Sequence, residues 1–200
     1  AVIARRYRRL NDRQREAVLC TAGPLLVLAG AGSGKTTVLI NRVDNLLTFG
    51  KGSDTDFVPD WATAEDLAFL EGFPAEPSPE EWREARRLCA VDPAVPWSVI
   101  AITFTNKAAG ELKERLGRMC GPAANDIWAA TFHSACVRIL RRDIERLDLG
   151  FTNNFTIYDS DDSRRVIKDI LKEMSLDEKD FQPRSVLSII PNAKDEDQSP

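Results

Sequence analysis

Gly30, Gly32 and Gly34 fall close together and are followed at once by Lys35 and Thr36. That spacing is suited to a polyphosphate. Backbone N–H groups wrap phosphate oxygens only where no side chain intervenes, which calls for glycine. A helix that starts at Lys35 adds unpaired N–H groups and the positive end of its dipole. Lys35 supplies a mobile cation for the β- and γ-phosphates. The Thr36 hydroxyl is the expected ligand for Mg²⁺. Ala29-Gly-Ala-Gly-Ser-Gly-Lys-Thr36 thus reads as a phosphate-binding loop, with Ala29 where the strict pattern has glycine. The plainer reading, a glycine-rich turn between strand and helix, leaves the Gly-Lys-Thr unexplained.

The flanking elements agree with this loop. Leu25 to Ala29 form a short apolar run, predicted as a strand buried on both faces. The helix from Lys35 is predicted to reach about Leu47, with Val38, Leu39 and Val43 on one side. Upstream, Asn11 suits a helix N-cap and Gln14 falls at the third helical position, a capping-box spacing. A glutamine amide there can also donate to and accept from an adenine edge, and spacing leaves both roles open.

Downstream, Val99–Thr103 and Ile127–Thr131 read as further buried strands. Each is followed by polar and aromatic residues: Phe104-Thr105-Asn106, with Thr105 the expected cap of a helix carrying Leu112 and Leu116 inward, and Phe132-His133-Ser134, read as a short turn. A long helix is predicted to follow through Leu147, with Val137, Leu140, Ile144 and Leu147 as its stripe and Arg138, Arg141, Arg142 and Arg146 exposed. Phe155–Tyr158 is predicted as a fourth strand. Asp159–Ser163 caps a helix to about Met174, and residues 183–193 are predicted helical. Strands alternating with helices give an α/β fold with a parallel sheet, whose ligands bind at the strands' carboxyl ends. Every candidate segment lies at such an end.

The chain has 200 residues and a hydrophobic content of 43%, and no apolar run approaches the length of a membrane span. The N-terminal residues lack the apolar stretch of a signal peptide. Cys20, Cys89, Cys120 and Cys136 are scattered, as reduced thiols of a cytoplasmic protein would be. Net charge is −4, yet residues 51–97 hold eleven acidic against four basic residues, leaving 23 basic against 20 acidic elsewhere. That remainder is compatible with nucleic acid. Segment 51–97 is punctuated by prolines and reads as an acidic surface insertion, with short helices over about Thr63–Glu71 and from Ser78 to about Ala90. Arg5, Arg6, Arg8 and Arg9 form a basic leader, read as a solvated tail, with phosphate contact as the other reading.

In this order, Leu10-Asn11 with Gln14, the loop 29–36, Ile102-Thr-Phe-Thr-Asn-Lys-Ala-Ala109 and Thr131-Phe-His-Ser134 resemble the UvrD/Rep/PcrA family of superfamily 1 DNA helicases. Arg138–Arg142, Asn154–Asp159 and Ile170–Lys172 extend the resemblance. It implies an ATP-driven motor moving 3′ to 5′ on single-stranded DNA and opening duplex junctions in DNA repair or replication, with ATP and Mg²⁺ as cofactors and no membrane. It assigns Gln14 to the adenine, and Ala31, Gly32, Ser33, Gly34, Lys35, Thr36 and Thr37 to the nucleotide, with Lys35 and Thr36 catalytic and Thr36 on Mg²⁺. It assigns Phe104, Thr105, Asn106, Thr131, Phe132 and His133 to the DNA strand, where an exposed ring can stack a base without choosing its identity. On the residues alone, Phe104 and Phe132 read first as ordinary core packing, and His133 as a capping or packing residue. Thr37 stands where relatives often carry a basic residue.

The resemblance further implies a RecA-like phosphate-loop sheet, incomplete here, over residues 1–133 and the start of an inserted helical subdomain over 134–200. Such an ATPase needs an apolar strand ending in Asp-Glu. The Asp-Glu pairs, Asp177-Glu178 and Asp195-Glu196, follow no such strand. The chain is therefore expected to be an N-terminal fragment that binds nucleotide weakly and does not unwind DNA. Two other readings share these residues: part of a recombination helicase–nuclease, and a non-catalytic ATP-gated binding module.

Overall fold

The computed structural model describes residues 2–196, which divide into two compact units between Arg138 and Ile139. In the larger unit the elements run α1 (Val2–Arg6), α2 (Asp12–Leu19), α3 (Lys35–Thr48), α4 (Ala64–Glu71), α5 (Pro79–Cys89), β1 (Ile100–Thr103), α6 (Asn106–Cys120), β2 (Trp128–Thr131) and α7 (Phe132–Asp143), the last of which crosses the division.

The core forms where α3, α6 and the sheet meet. Ile40 and Val43 of α3, Leu112 and Leu116 of α6, Ala101 of β1 and Ile127 and Ala129 around β2 close on one another. Their spacing on each helix is three or four residues, the repeat that keeps side chains on one face. On α3 the inward face turns on Ile40. Leu39, predicted inward, is 38% exposed. β1 and β2 are parallel, registered Ile100↔Trp128 through Thr103↔Thr131, with α6 as their crossover.

The sheet is smaller than the sequence predicts. Leu25–Ala29 forms no strand, and Leu26 and Leu28 are 80% and 85% exposed. Hydrophobicity makes a segment competent for a sheet, but a strand exists only through its ladder partner. β1 and β2 pair with each other, and among the described residues no strand lies beside this run. Phe155–Tyr158 also forms no strand. Its backbone is held by Arg141 instead, which donates to the carbonyls of Asn153 at 2.8 Å and Phe155 at 3.2 Å and lies 4.8 Å from the Phe155 ring centre. Phe132-His133-Ser134 is the first turn of α7 rather than a separate turn, and α7 tightens to a 3-10 turn over Ile144–Leu147.

The basic leader is not a solvated tail. Arg5 donates to the carbonyl of Phe73, Arg8 to that of Ala75 at 2.7 Å, and Arg6 grips Asp44 of α3. These contacts dock α1 on the acidic insertion. Val2 packs with Phe73 and Ala85, and Tyr7 is buried with Val38 and Phe49. Within the insertion, α4 and α5 start at capping boxes on Thr63 and Ser78. Its two ends are pinned where Lys51 N donates to Val91 O at 2.7 Å and Val91 N to Phe49 O at 3.0 Å. Gly50 makes this closure possible: its φ is +58°, and a Cβ there would fall 2.2 Å from the Val91 carbonyl oxygen.

In the smaller unit, Asp159 caps α8 (Ser160–Glu173), accepting from Asp161 N and Asp162 N, both at 2.8 Å. α8 packs on α9 (Pro183–Asp195). Among the described residues no helix is long and apolar enough to cross a membrane.

Candidate functional site

The loop before α3 is shaped by its glycines. Gly32 and Gly34 sit at φ +75° and +85°, and Gly34 is the N-cap of α3. The positive φ favours glycine at Gly34, and a Cβ there would lie 2.8 Å from the amide nitrogen of Gln14 and push that side chain aside. Lys35 Nζ donates to the carbonyls of Ala29 at 2.9 Å and Gly30 at 2.6 Å, which places its charge across the mouth of the loop. Ser33 Oγ donates to Gly30 O at 2.7 Å and tightens the turn. Ala31, Thr36 and Thr37 are exposed on the same rim. The Thr36 hydroxyl makes no hydrogen bond among the described residues. A hydroxyl that is free in the first turn of a helix fits Mg²⁺, which is held by few protein oxygens and by phosphate and water for the rest.

Of the two roles the spacing left open, Gln14 fills that of the cap. Its side-chain oxygen accepts from Asn11 N at 3.2 Å, and Asn11 caps Gln14 N at 2.9 Å. Its amide nitrogen also reaches across to Ser33 O at 3.0 Å. The cap of α2 is thereby tied directly to the phosphate loop.

The base of the loop is braced by residues that the sequence reading passed over. Arg42 donates to the carbonyls of Ala17 at 2.7 Å and of Cys20, and Ser53 Oγ donates to Leu19 O at 2.6 Å. Asp54 accepts from Thr21 N, from Thr21 Oγ at 2.9 Å and from Ala22 N at 3.1 Å. No periodicity marks such bonds, because each joins segments more than twenty residues apart. Burial pushes the Asp54 carboxyl up, but the Thr21 and Ala22 hydrogen bonds, with the charge of Arg42, outweigh it and hold the group below the usual carboxylate range. A depressed folded value means stability that is present above the unfolded value and is lost as pH falls. Asp54→Asn is therefore expected to cost about 0.5–1 kcal/mol at pH 7, at the low end because the carboxylate is solvent-screened. The difference should begin to shrink as pH falls through about 4, where the free aspartate is protonated, and vanish only once pH is below the depressed folded value as well. Thermal melts of both proteins at neutral and acid pH read this directly, and identical melts at pH 7 would refute it.

At the other edge, the Thr103↔Thr131 register sets the ends of β1 and β2 side by side. Phe104 is 95% exposed and Phe132 57%, so neither ring is core. His133 meets Phe132 edge-on, with ring centres 6.4 Å apart. Thr105 caps α6, its hydroxyl oxygen accepting from Ala108 N at 3.2 Å, and Asn106 is exposed beside it. Thr131 is buried instead, with its hydroxyl donating to Ser134 Oγ at 2.8 Å. Arg138 lies 4.5 Å from the centre of the Trp128 ring, so this arginine of α7 is partly a packing residue. Among the described residues no three His, Cys, Asp or Glu side chains are grouped to hold a metal.

Both Asp-Glu pairs belong to the smaller unit, and Glu178 is paired with Lys168 at 3.1 Å.

These motifs, in this order, match known proteins. The family model described as UvrD/REP helicase N-terminal domain matches residues 10–57 and 85–200. The chain is 45% identical, over 94% of its length, to the ATP-dependent DNA helicase PcrA of Bacillus subtilis (strain 168), and covers 19% of that protein. It is 41% identical, over 96% of its length, to the ATP-dependent DNA helicase PcrA of Staphylococcus aureus (strain COL), covering 20% of it. The chain thus spans about one fifth of the length of these relatives. With 164 of its 200 residues under the family match, the chain belongs to the UvrD/REP helicase N-terminal family.

Proposed function

We propose that this chain is the nucleotide- and DNA-binding N-terminal part of an ATP-dependent helicase that moves 3′ to 5′ on single-stranded DNA. The observation that carries the reading is the register of the sheet, which brings Phe104 and Phe132, both exposed, to the same carboxyl edge, as the residues that follow the paired Thr103 and Thr131. Rings so placed stack successive bases without sequence preference, while the Asn106 amide and the His133 ring hold the backbone.

On the nucleotide side, the loop amides and the α3 dipole bind the phosphates and Lys35 neutralises the terminal ones. Mg²⁺, held through Thr36, would screen the phosphate charge and polarise the terminal group. Gln14 orients the adenine from a position fixed by its bond to Ser33. Hydrolysis also needs a carboxylate that orients the attacking water, and neither Asp-Glu pair follows an apolar strand. The 200-residue chain is therefore proposed to bind ATP without turning it over.

ATP hydrolysis measured with and without single-stranded DNA tests this. No turnover, together with calorimetric binding of Mg-ATP, is the expected result. DNA-stimulated turnover would show a self-sufficient site. The DNA half is tested separately by fluorescence anisotropy with an oligothymidine. Phe104→Ala is expected to weaken binding by about 1–3 kcal/mol, the worth of one base–aromatic stack. An unchanged anisotropy curve would remove Phe104 from the DNA path.

A further inference from the structure

The family match omits residues 1–9 and 58–84, and the structure brings these two stretches together, with Val2 and Phe73 in one cluster. Where α1 meets α4 they leave an open groove of about 550 Å³. Val2 and Ile3, both buried, and the partly buried Leu19 and Leu70 line it, together with Leu67, which is 49% exposed. α4 buries no residue of its own. It is eight residues long and is held by its capping box, by Phe69 edge-on to Phe73 and by Arg87 on Asp66. A helix that short draws its stability from packing of its apolar face. On α4 that face includes Leu67 and Leu70, which border the groove.

The charge around the groove limits what it can take. Glu71 lines it, Asp56 directly follows Thr55 of its lining, and Glu65 lies on α4. None of these three carboxylates makes a hydrogen bond or ion pair among the described residues. Among the described residues of the lining the cation is Arg5, and it is committed to the carbonyls of Phe73 and Pro74. An apolar slot bordered by free carboxylates suits an occupant that is apolar and positively charged. It repels the phosphates of DNA and of anionic lipid headgroups. A second copy of the chain is a poor match, since the chain carries a net charge of −4 and Arg5, Arg6 and Arg8 of its leader are already engaged. The insertion leaves from the end of α3 and returns at the start of β1, whereas the phosphate loop lies at the start of α3 and Phe104 and Phe132 follow the carboxyl ends of the strands. An occupant of the groove therefore leaves both candidate sites open.

We propose that this groove docks a short basic, amphipathic segment of another protein, with its apolar side chains seated between α1 and α4 and its lysines or arginines on Glu71, Glu65 and Asp56. Such a segment completes the packing that α4 lacks, and its charges meet carboxylates that have no other partner. The leader and the insertion together then form a recruitment surface, built largely from residues outside the family match. The proposal does not rest on the nucleotide reading, because no residue of the phosphate loop takes part in it.

The test is fluorescence anisotropy of the 200-residue chain with a fluorescein-labelled peptide of leucine and lysine set at helical spacing. Two altered peptides run beside it, one with glutamate for every lysine and one with serine for every leucine. Binding of the first peptide alone, weakening as salt rises, is the expected result. Glu71→Lys is expected to weaken it about three- to tenfold, because reversal removes one attraction and adds one repulsion. Leu67→Ser should cost about four- to twelvefold, the worth of taking the exposed half of a leucine out of water. Glu111→Lys makes the same change of charge on an exposed residue of α6 and should leave the affinity nearly unchanged. Leu67 and Glu71 are exposed, and unchanged circular dichroism confirms that each variant folds. Lys35→Ala should bind the peptide as the wild type does, which separates this result from the fate of the nucleotide site. No binding of the leucine–lysine peptide overturns the proposal, as do equal binding of the serine peptide and equal losses in Glu71→Lys and Glu111→Lys. Loss of binding in Phe104→Ala would place the peptide on the DNA edge and overturn it too. A dimer in sedimentation that Leu67→Ser dissolves, with no peptide bound, would give the groove to a second copy instead.

Discussion

Lys35→Ala is expected to weaken Mg-ATP binding by about 2–5 kcal/mol, roughly thirtyfold or more, the usual cost of truncating one partner of a hydrogen-bonded charge pair. The side chain now bridges the carbonyls of Ala29 and Gly30. Those are neutral acceptors, and a phosphate oxygen is a stronger one, so the ammonium gains on transfer to the ligand. Its loss removes a charge from the site without opening a cavity in the core, because Lys35 is exposed. The fold should therefore survive, with an unchanged circular dichroism spectrum and melting temperature. Calorimetry then reads the loss of affinity alone. Wild-type affinity in this variant would mean that nucleotide binds elsewhere on the chain.

Asp44→Ala is expected to destabilise the larger unit by about 3–5 kcal/mol, the cost of breaking a buried pair by removing one partner. Asp44 is 3% exposed. It accepts from Arg6 Nε at 2.8 Å and Nη2 at 2.9 Å, and from the Tyr7 hydroxyl at 2.9 Å. Each partner responds to it. The hydrogen bond to Asp44 raises the Arg6 guanidinium against the opposing effect of burial. Burial first, and then the Asp44 charge, push the Tyr7 hydroxyl well above the usual phenol range. Alanine leaves the guanidinium uncompensated and a buried phenol unpaired. Against a typical domain stability of about 5–15 kcal/mol, that is a large share. Chemical denaturation measures it. The double variant with Arg6→Ala should recover part of the loss, because it removes the stranded charge, and a single-variant cost below about 1 kcal/mol would show the cluster to be solvated after all. Since α1 is held to α3 through this cluster, Asp44→Ala should also loosen the leader from the insertion.

These two sites differ in how visible they are in the chain. Lys35 is identified by its immediate neighbours, since a phosphate loop is local: six or seven residues carry both the conformation and the chemistry. The same holds for the caps. Asn11 with Gln14, Thr63 with Asp66, Ser78 with Glu81 and Asp159 with Asp162 all form the boxes their spacing predicts, because a cap is closed within one helical turn. Leu112 and Leu116 turn inward for the same reason. Asp44 carries no such mark. Its partners are 37 and 38 residues away, and nothing in a helix pattern says that one of its acids will be buried.

The sequence by itself determined the glycine-rich loop, the capped helices with their starting points, the two strands that pair, and the family, because each depends on contacts within one turn or on an ordered set of short motifs; α1 and the start of α7 at Phe132 were not among them. Tertiary structure decided what depends on partners distant in the chain. Leu25–Ala29 has the composition of a buried strand but no ladder to join, so it stays unpaired. Arg5, Arg6 and Arg8 have the composition of a solvated tail, but the carbonyls of Phe73 and Ala75 and the carboxylate of Asp44 bring them onto the insertion and α3.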